Sequence, residues 1–307
     1  MSRVRRWAGL RASTNAWPIK PLKVAARNLC VSVGYHSSPS FIIVGAQKAG
    51  TTALLHYLSN HPRIAAPVLK EAHFFDVDPL YYGKGLDWYH RNFVLPHDLP
   101  AGGATGEATP EYLYYPAIPE RLQRYNPQLK LIALIREPVG RAYSAWNMFR
   151  QHHADGRDKL LRELSPYQAE VREGLYRLLS EPTFPSFEQV VMNELEAIAK
   201  GSHELEPSFV RRGLYAEQLR RYFARFPREQ LLVIDSRDLR HRLHETLSTV
   251  TTFLGQPAFD WSSVELGSVH ERTYDAKMPE AVAARLRDFY RPHNLALEEL
   301  IQRELGW

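Results

Sequence analysis

The segment FIIVGAQKAGTT, residues 41–52, constrains the fold of this chain more than any other. Phe41–Val44 is a continuous apolar run, which is typical of a strand buried on both faces of a sheet. Gly45 and Gly50 bound a short loop, and leucines at helical spacing follow until Pro62. The segment therefore predicts a buried strand, a glycine loop and a helix.

Two later apolar runs repeat this alternation of strand and helix. Leu131–Ile135 precedes Pro138, a residue favoured in the first turn of a helix, and Leu231–Asp235 follows an amphipathic stretch. Strands that alternate with helices predict an α/β fold, with a parallel sheet covered by helices on both faces. We expect residues 40–307 to form a single domain, in which the polar stretch 150–212 lays helices and loops over one edge.

Residues 1–39 are a separate basic segment. Residues 1–40 contain seven of the 39 Lys and Arg residues and no acidic residue, so 32 basic side chains remain against 34 acidic ones. A nearly neutral body disfavours a nucleic-acid partner. We expect a loosely ordered arm, and two alternatives stay open: weak contact with an anionic membrane and an organelle transit peptide.

Composition also bears on compartment and metals. The longest clean apolar runs are far shorter than the ~20 residues of a membrane-spanning helix. Cys30 is the single cysteine and has no partner for an internal disulfide, which fits a reducing compartment. The histidines form no cluster with metal-ligand spacing. We therefore expect a cytoplasmic protein without a metal, with membrane-peripheral association as the alternative.

The glycine loop has the chemistry of a phosphate site. Unpaired N–H groups and a partial positive charge at a helix N-terminus attract anions, and glycines let the backbone approach them. The nucleotide-triphosphate loop G-x-x-x-x-G-K-[ST] requires lysine at position 51, where this chain has Thr51, and the lysine here is Lys48. This difference disfavours ATP with magnesium. A tight turn with a surface Lys48 is the structural alternative.

The loop resembles the 5′-phosphosulfate loop of sulfotransferases that use 3′-phosphoadenylyl sulfate (PAPS). Those enzymes are similar in fold to P-loop kinases and transfer a sulfuryl group without a metal. The resemblance implies that PAPS is the donor. It also implies donor contacts from Gly45, Gln47, Lys48, Ala49, Gly50, Thr51 and Thr52.

Residues 131–149, LIALIREPVGRAYSAWNMF, resemble the 3′-phosphate segment of the same family. In that segment a strand ends in Arg and the following helix carries Ser eight residues later, which are Arg136 and Ser144 here. Arginine can bind a phosphate with two hydrogen bonds. The alternative is an ion pair of Arg136 with Glu137 or another carboxylate. A looser resemblance suggests that a loop over the adenine and 3′-phosphate contributes Arg272, Tyr274 and Lys277.

Residues 70–92, KEAHFFDVDPLYYGKGLDWYHRN, resemble the heparan-sulfate branch of the family and its bacterial relatives. The resemblance makes Glu71 the base that deprotonates the acceptor and places His73 and Asp76 in the acceptor site. Lys70 and Lys84 are candidates to bind a polar or anionic acceptor. A core histidine and a solvated loop lysine are the alternatives for His73 and Lys84.

Residues 105–115, TGEATPEYLYY, resemble the family's E-K-T-P-x-Y stretch with one departure. Ala108 occupies the lysine position, which disfavours a highly sulfated polyanion as acceptor. Glu107 is a further acceptor-site candidate. Residues 213–239 and 270–307 are similar to the bacterial members, so the resemblance covers residues 40–307.

Together these segments predict an enzyme that moves a sulfuryl group from PAPS to a hydroxyl or amine. The expected acceptor is a carbohydrate, a glycolipid or a small hydroxylated molecule. Glu71 removes the proton, the acceptor attacks sulfur in line, and Lys48 stabilises charge on the leaving oxygen. The alternative is a P-loop kinase, or a nucleotide-binding protein without sulfotransfer activity.

Overall fold

The computed structural model describes residues 19–202, 204–267 and 277–307. Five strands are present in these ranges: β1 (Phe41–Gly45), β2 (Ile64–Ala65), β3 (Ala104–Ala108), β4 (Lys130–Ile135) and β5 (Leu231–Asp235). They form one parallel sheet in the order β2-β3-β1-β4-β5, with β1 at the centre. The predicted parallel α/β fold is confirmed.

Helices connect the strands and cover the sheet. They are α1 (Ile19–Ser32), α2 (Thr51–Leu58), α3 (Asp78–Gly83), α4 (Gly85–His90), α5 (Ile118–Tyr125), α6 (Pro138–Leu164), α7 (Ala169–Ser180), α8 (Phe187–Ala199), α9 (Tyr215–Phe223), α10 (Ser236–His241), α11 (Leu243–Phe253) and α12 (Glu280–Ile301). All five residues of β1 are buried. Because successive strand side chains point to opposite faces, both faces of the sheet are covered at β1. Within the described ranges, no helix has the length and apolar character needed to cross a bilayer.

The apolar runs produced the strands predicted from them. β1, β4 and β5 begin and end within one residue of the predicted strands. α6 begins at Pro138 and extends far into the stretch 150–212, where α7 and α8 follow. These helices agree with the helical character predicted for that stretch.

β3 is a strand that the sequence did not predict, because its residues are small or polar. All five of its residues are nevertheless buried, and Gly106 pairs with Phe41 of β1. A Cβ atom on Gly106 would lie 2.4 Å from the carbonyl oxygen of Phe41. The glycine therefore permits a close approach of β3 to β1, and tertiary packing rather than β propensity forms this strand.

The segment predicted to be an arm contains α1, a helix that the sequence analysis did not predict. Pro21 occupies the first turn, where proline is compatible with a helix. Val31 is fully buried, and the Arg27 guanidinium donates a hydrogen bond to the carbonyl oxygen of Phe93. Residues 1–18 lie outside the described ranges, so loose order there stays a prediction.

Candidate active site

The glycine loop joins the carboxyl end of β1 to α2. Gly50 has φ of 105° and Lys48 has φ of 69°, both in the left-handed region that favours glycine. A Cβ atom on Gly45 would lie 2.6 Å from Cβ of Leu113, so glycine lets the loop pack against the chain after β3. This loop, here called the donor loop (residues 45–52), holds the first N–H groups of α2 in an arrangement suited to an anion.

Arg136 lies beside the donor loop, directly after β4. Its Nη1 donates a hydrogen bond to the carbonyl oxygen of Lys48 at 3.0 Å. Tyr215 fixes the backbone there, since its hydroxyl donates to the carbonyl oxygen of Arg136 at 2.9 Å. The Glu137 carboxylate caps α6 by accepting two backbone N–H groups of that helix. The structure thus brings Arg136 to the donor loop, and its contact with the donor stays a prediction.

The other predicted donor residues lie in the donor loop or at the start of α2, on α6, just before α12, or outside the described ranges. Gln47 and Ala49 belong to the loop, and Thr51 and Thr52 form the start of α2. Ser144 is buried on α6. Lys277 is exposed just before α12, and the predicted Arg272 and Tyr274 fall in the part of the chain that the structure does not describe.

A cluster of charged side chains follows β2. Lys70 Nζ forms an ion pair with Oε1 of Glu71, and Nε2 of His73 lies 3.5 Å from the other Glu71 oxygen. Nδ1 of His73 lies 2.9 Å from both Oδ2 of Asp76 and the hydroxyl of Tyr167. We call Lys70, Glu71, His73 and Asp76 the base cluster. The structure therefore brings together four residues that the sequence analysis assigned to the acceptor side.

The charges of the base cluster set its protonation. Burial alone would raise the pKa of Glu71, but the hydrogen bond to His73 and the charge of Lys70 outweigh it and lower the pKa to about 2. Burial alone would lower the pKa of His73, but Asp76 and Glu71 raise it well above its ordinary value. Near neutral pH Glu71 is a carboxylate and His73 an imidazolium.

Glu107 supports the base cluster from the core. Its Oε2 accepts the backbone N–H of Ala72 at 3.2 Å and the Thr109 hydroxyl at 2.7 Å. Its Oε1 accepts the hydroxyls of Tyr89 at 2.7 Å and Tyr112 at 3.2 Å. Glu107 has no exposed surface. With four donors around a buried carboxylate, the geometry supports a positioning role for Glu107 in place of the predicted contact with the acceptor.

Two other acceptor-side candidates differ in position. The Asp76 side chain is fully buried and orients the His73 ring, so it too supports the cluster from inside. Lys84 is exposed between α3 and α4, and no hydrogen bond or ion pair within the described ranges joins its side chain to the base cluster. The predicted acceptor contact of Lys84 stays a prediction.

Glu111 links the donor loop to the base cluster, and the sequence analysis missed it. Gln47 Nε2 donates a hydrogen bond to Oε1 of Glu111 at 3.2 Å. Glu111, Glu71 and His73 each offer an atom within 4.8 Å of the other two. In the sequence, only its position beside Tyr112 marked Glu111. Glutamate is ordinarily a surface residue, so this position did not indicate a role in the site. These three side chains could ligate a cation only after His73 loses its proton and Lys70 leaves Glu71.

Comparison with known proteins identifies the family of this chain. Residues 38–285 match the model of the sulfotransferase domain. The chain belongs to the sulfotransferase domain family. It is 29% identical to human heparan sulfate glucosamine 3-O-sulfotransferase 3A1, over 91% of this chain and 64% of that protein. Human 3-O-sulfotransferase 3B1 is also 29% identical, over 89% of this chain and 66% of that protein. The chain thus spans just under two thirds of the length of these curated relatives.

A solved sulfotransferase supports the fold of the family. The crystal structure of the sulfotransferase from Alicyclobacillus acidocaldarius is 29% identical and has a TM-score of 0.61, covering 88% of this chain and 98% of that one. The family membership predicted from the motifs is confirmed. In this sulfotransferase-family chain the donor loop, Arg136 and the base cluster come from separate segments and meet at one edge of the sheet.

Proposed function

We propose that this chain transfers a sulfuryl group from PAPS to a hydroxyl or amino group of an acceptor. One arrangement carries the proposal: the donor loop contacts Arg136 on one side and, through Gln47 and Glu111, approaches the base cluster on the other. An anion site and a carboxylate base are thereby neighbours. Membership of the sulfotransferase family supports the same reaction.

The donor side has the groups that PAPS requires. The N–H groups at the start of α2 and the hydroxyls of Thr51 and Thr52 would bind the 5′-phosphosulfate. Arg136 and Ser144 would bind the 3′-phosphate, which distinguishes this donor from ATP. Lys48 supplies positive charge for the oxygen that leaves sulfur. We also propose that the reaction requires no metal ion.

The reaction is an in-line displacement at sulfur. A bond forms between the acceptor oxygen or nitrogen and sulfur, the bond from sulfur to the phosphate oxygen breaks, and Glu71 takes the acceptor proton. A carboxylate with a pKa of about 2 is a weak base. An acceptor that displaces Lys70 from Glu71 would raise this pKa and improve proton transfer. Binding of the acceptor and activation of its base would then be linked.

We propose a carbohydrate or glycolipid as acceptor, with a small hydroxylated molecule second. The curated relatives are named for heparan sulfate glucosamine, which supports a sugar. Ala108 stands where the related motif has lysine, and it is fully buried. Because Lys70 and His73 balance the charges of Glu71 and Asp76, the base cluster has no net positive charge to attract a polyanion, and we favour a neutral or lightly charged sugar.

Thermal unfolding with 3′,5′-ADP, compared with ADP plus magnesium at equal concentration, tests the donor assignment. A ligand present at 100 times its Kd should stabilise the fold by about 2.7 kcal/mol. We expect a large rise in Tm with 3′,5′-ADP in the absence of metal, and a much smaller rise for Arg136→Ala. Stabilisation by ADP and magnesium alone would favour a kinase and contradict the proposal.

A further inference from the structure

Glu111 is a largely buried carboxylate with one oxygen unused. Its side chain is 13% exposed, and Oε1 accepts the hydrogen bond from Gln47. Oε2 is buried and has no hydrogen-bond partner among the described residues. Since a buried acceptor without a donor costs free energy, a purely structural role would favour a neutral or apolar side chain here. Burial raises the pKa of Glu111 above its ordinary value and the charge of His73 opposes this shift, so the protonation of Glu111 is linked to the base cluster.

Charged groups face Glu111 from several elements. Glu71, His73 and Asp76 approach it from the base cluster, and Arg212 approaches from the turn Arg211–Gly213. Arg212 Nη1 lies 4.0 Å from Oε1 of Glu111, while Nη2 is 2.5 Å from Oε1 of Glu206. The shorter contact commits Arg212 mainly to Glu206. Nη1 of Arg212 is buried, has no hydrogen-bond partner among the described residues and faces Glu111, so two cations are available to Glu111: Arg212 and the His73 imidazolium. Of these two, only His73 belongs to the base cluster.

The backbone around Glu111 is fixed to the donor side of the sheet. Leu113 N–H donates to the carbonyl oxygen of Val44 in β1 at 2.7 Å. The carbonyl oxygen of Pro110 would lie 2.9 Å from a Cβ atom on Gly45. Glu111 thus extends from a rigid platform packed on β1, and its carboxylate has a defined position relative to both neighbours.

We propose that Glu111 is a positioning residue that couples the donor loop to the base cluster. Its Oε1 holds Gln47 and with it the loop that carries Lys48. Its negative charge holds the His73 imidazolium beside Glu71. The inference rests on the proposed sulfuryl transfer, because coupling has a purpose only where a donor and an acceptor base must meet.

Two substitutions separate the two links. Glu111→Gln keeps an oxygen that can accept from Gln47 but removes the charge, whereas Glu111→Ala removes both. Glu194→Gln is the matched control, since Glu194 is also a buried carboxylate but accepts its hydrogen bonds from the backbone of Val210 and Arg211. The readouts are the affinity for 3′,5′-ADP by calorimetry and the titration of the His73 ring by NMR, with His73→Gln assigning the signal.

We expect Glu111→Gln to bind 3′,5′-ADP within about threefold of wild type, and its His73 ring to titrate at lower pH. Glu111→Ala should show the same change in titration and about tenfold weaker binding, equivalent to 1.4 kcal/mol. The double variant Glu111→Ala with Gln47→Ala should lose less binding free energy than the two single variants together. Both substitutions remove the same hydrogen bond, the one between Gln47 and Glu111. Glu194→Gln should leave both readouts unchanged.

An unchanged His73 titration in Glu111→Gln would overturn the inference, as would the same change in the Glu194→Gln control. Wild-type affinity in Glu111→Ala would overturn the link to the donor loop. If Glu111→Ala does not fold, the NMR titration of the His73 ring in the nearly isosteric Glu111→Gln still tests the inference. Failure of the wild-type protein to bind 3′,5′-ADP would instead contradict the proposed function, so the two failures are distinguishable.

Discussion

Glu71 and His73 carry opposite charges side by side, and each stabilises the charged form of the other. Because Glu71 lies between Lys70 and His73, its pKa is lowered to about 2 and it is a carboxylate near neutral pH. The lowered pKa keeps Glu71 ionised, which a base requires, but it also makes Glu71 a weaker base. In the proposed reaction, proton transfer to Glu71 therefore depends on how the acceptor changes the partners of this carboxylate.

Replacing Glu71 with glutamine tests the base assignment. Glutamine has nearly the same size but takes no proton, so kcat should fall by about 10²–10⁴. Affinity for 3′,5′-ADP should stay close to that of wild type, because Glu71 lies on the acceptor side. Steady-state kinetics and calorimetry measure the two quantities. Weak binding of 3′,5′-ADP by Glu71→Gln would show that the residue acts on the donor instead.

The pH dependence of stability tests the charge state of His73. Its pKa is raised above the ordinary value of 6.5, so its contribution is full below about pH 6.5 and is lost as pH rises through the folded-state pKa. The lowered pKa of Glu71 acts oppositely, and its contribution is lost as pH falls from 4.5 towards about 2. The pair is therefore most stabilising between these two limits.

We expect the difference in unfolding free energy between wild type and His73→Gln to decrease as pH rises above 6.5. Urea unfolding at a series of pH values measures this difference, and subtraction removes the contribution of the other histidines. A difference that is constant with pH would mean that folding leaves the pKa of His73 unchanged, which would contradict the raised pKa.

At the scale of elements, close packing between β1 and the chain after β3 forms the donor loop. Gly45 ends β1 where Leu113 and Pro110 leave no room for a side chain. Gly106 has the same role inside β3, against Phe41. Both glycines are needed because backbones approach each other closely, rather than because φ is unusual.

Gly45→Ala should therefore disturb the site as well as the fold. Its Cβ atom would overlap Leu113 and Pro110, and we expect a loss of about 1–3 kcal/mol in unfolding free energy together with weaker 3′,5′-ADP binding. Gly83→Ala is a suitable control, since a Cβ atom there meets nothing within 4 Å. Denaturant unfolding and calorimetry measure the effects. Equal behaviour of the two variants would show that the loop can shift without cost.

At the scale of the whole molecule, the parallel sheet brings distant segments to one edge. The donor loop follows β1, Glu111 follows β3 and Arg136 follows β4, and these three strands are adjacent. In open parallel sheets ligands bind outside the carboxyl ends of the strands. The base cluster follows β2, the edge strand next to β3, and lies on the other side of Glu111 from the donor loop.

Much of this was predictable from local patterns. Apolar runs predicted β1, β4 and β5, since a continuous apolar run is typical of a strand buried on both faces. The glycine spacing around Lys48 predicted a phosphate site, because it is a short-range pattern of the backbone. The resemblance of the segment around Arg136 implied the contact with the 3′-phosphate. The resemblance around Glu71 and His73 predicted the acceptor side.

Tertiary structure alone decided the rest, because it depends on contacts between residues far apart in sequence. β3 is a strand only because its small residues pack between β1 and β2. Glu107 became a buried support because Tyr89 and Tyr112 surround its carboxylate. Glu111 entered the site because β3 lies beside β1, which places it next to Gln47. A sequence pattern records which side chains are available, but burial and proximity determine what each of them does.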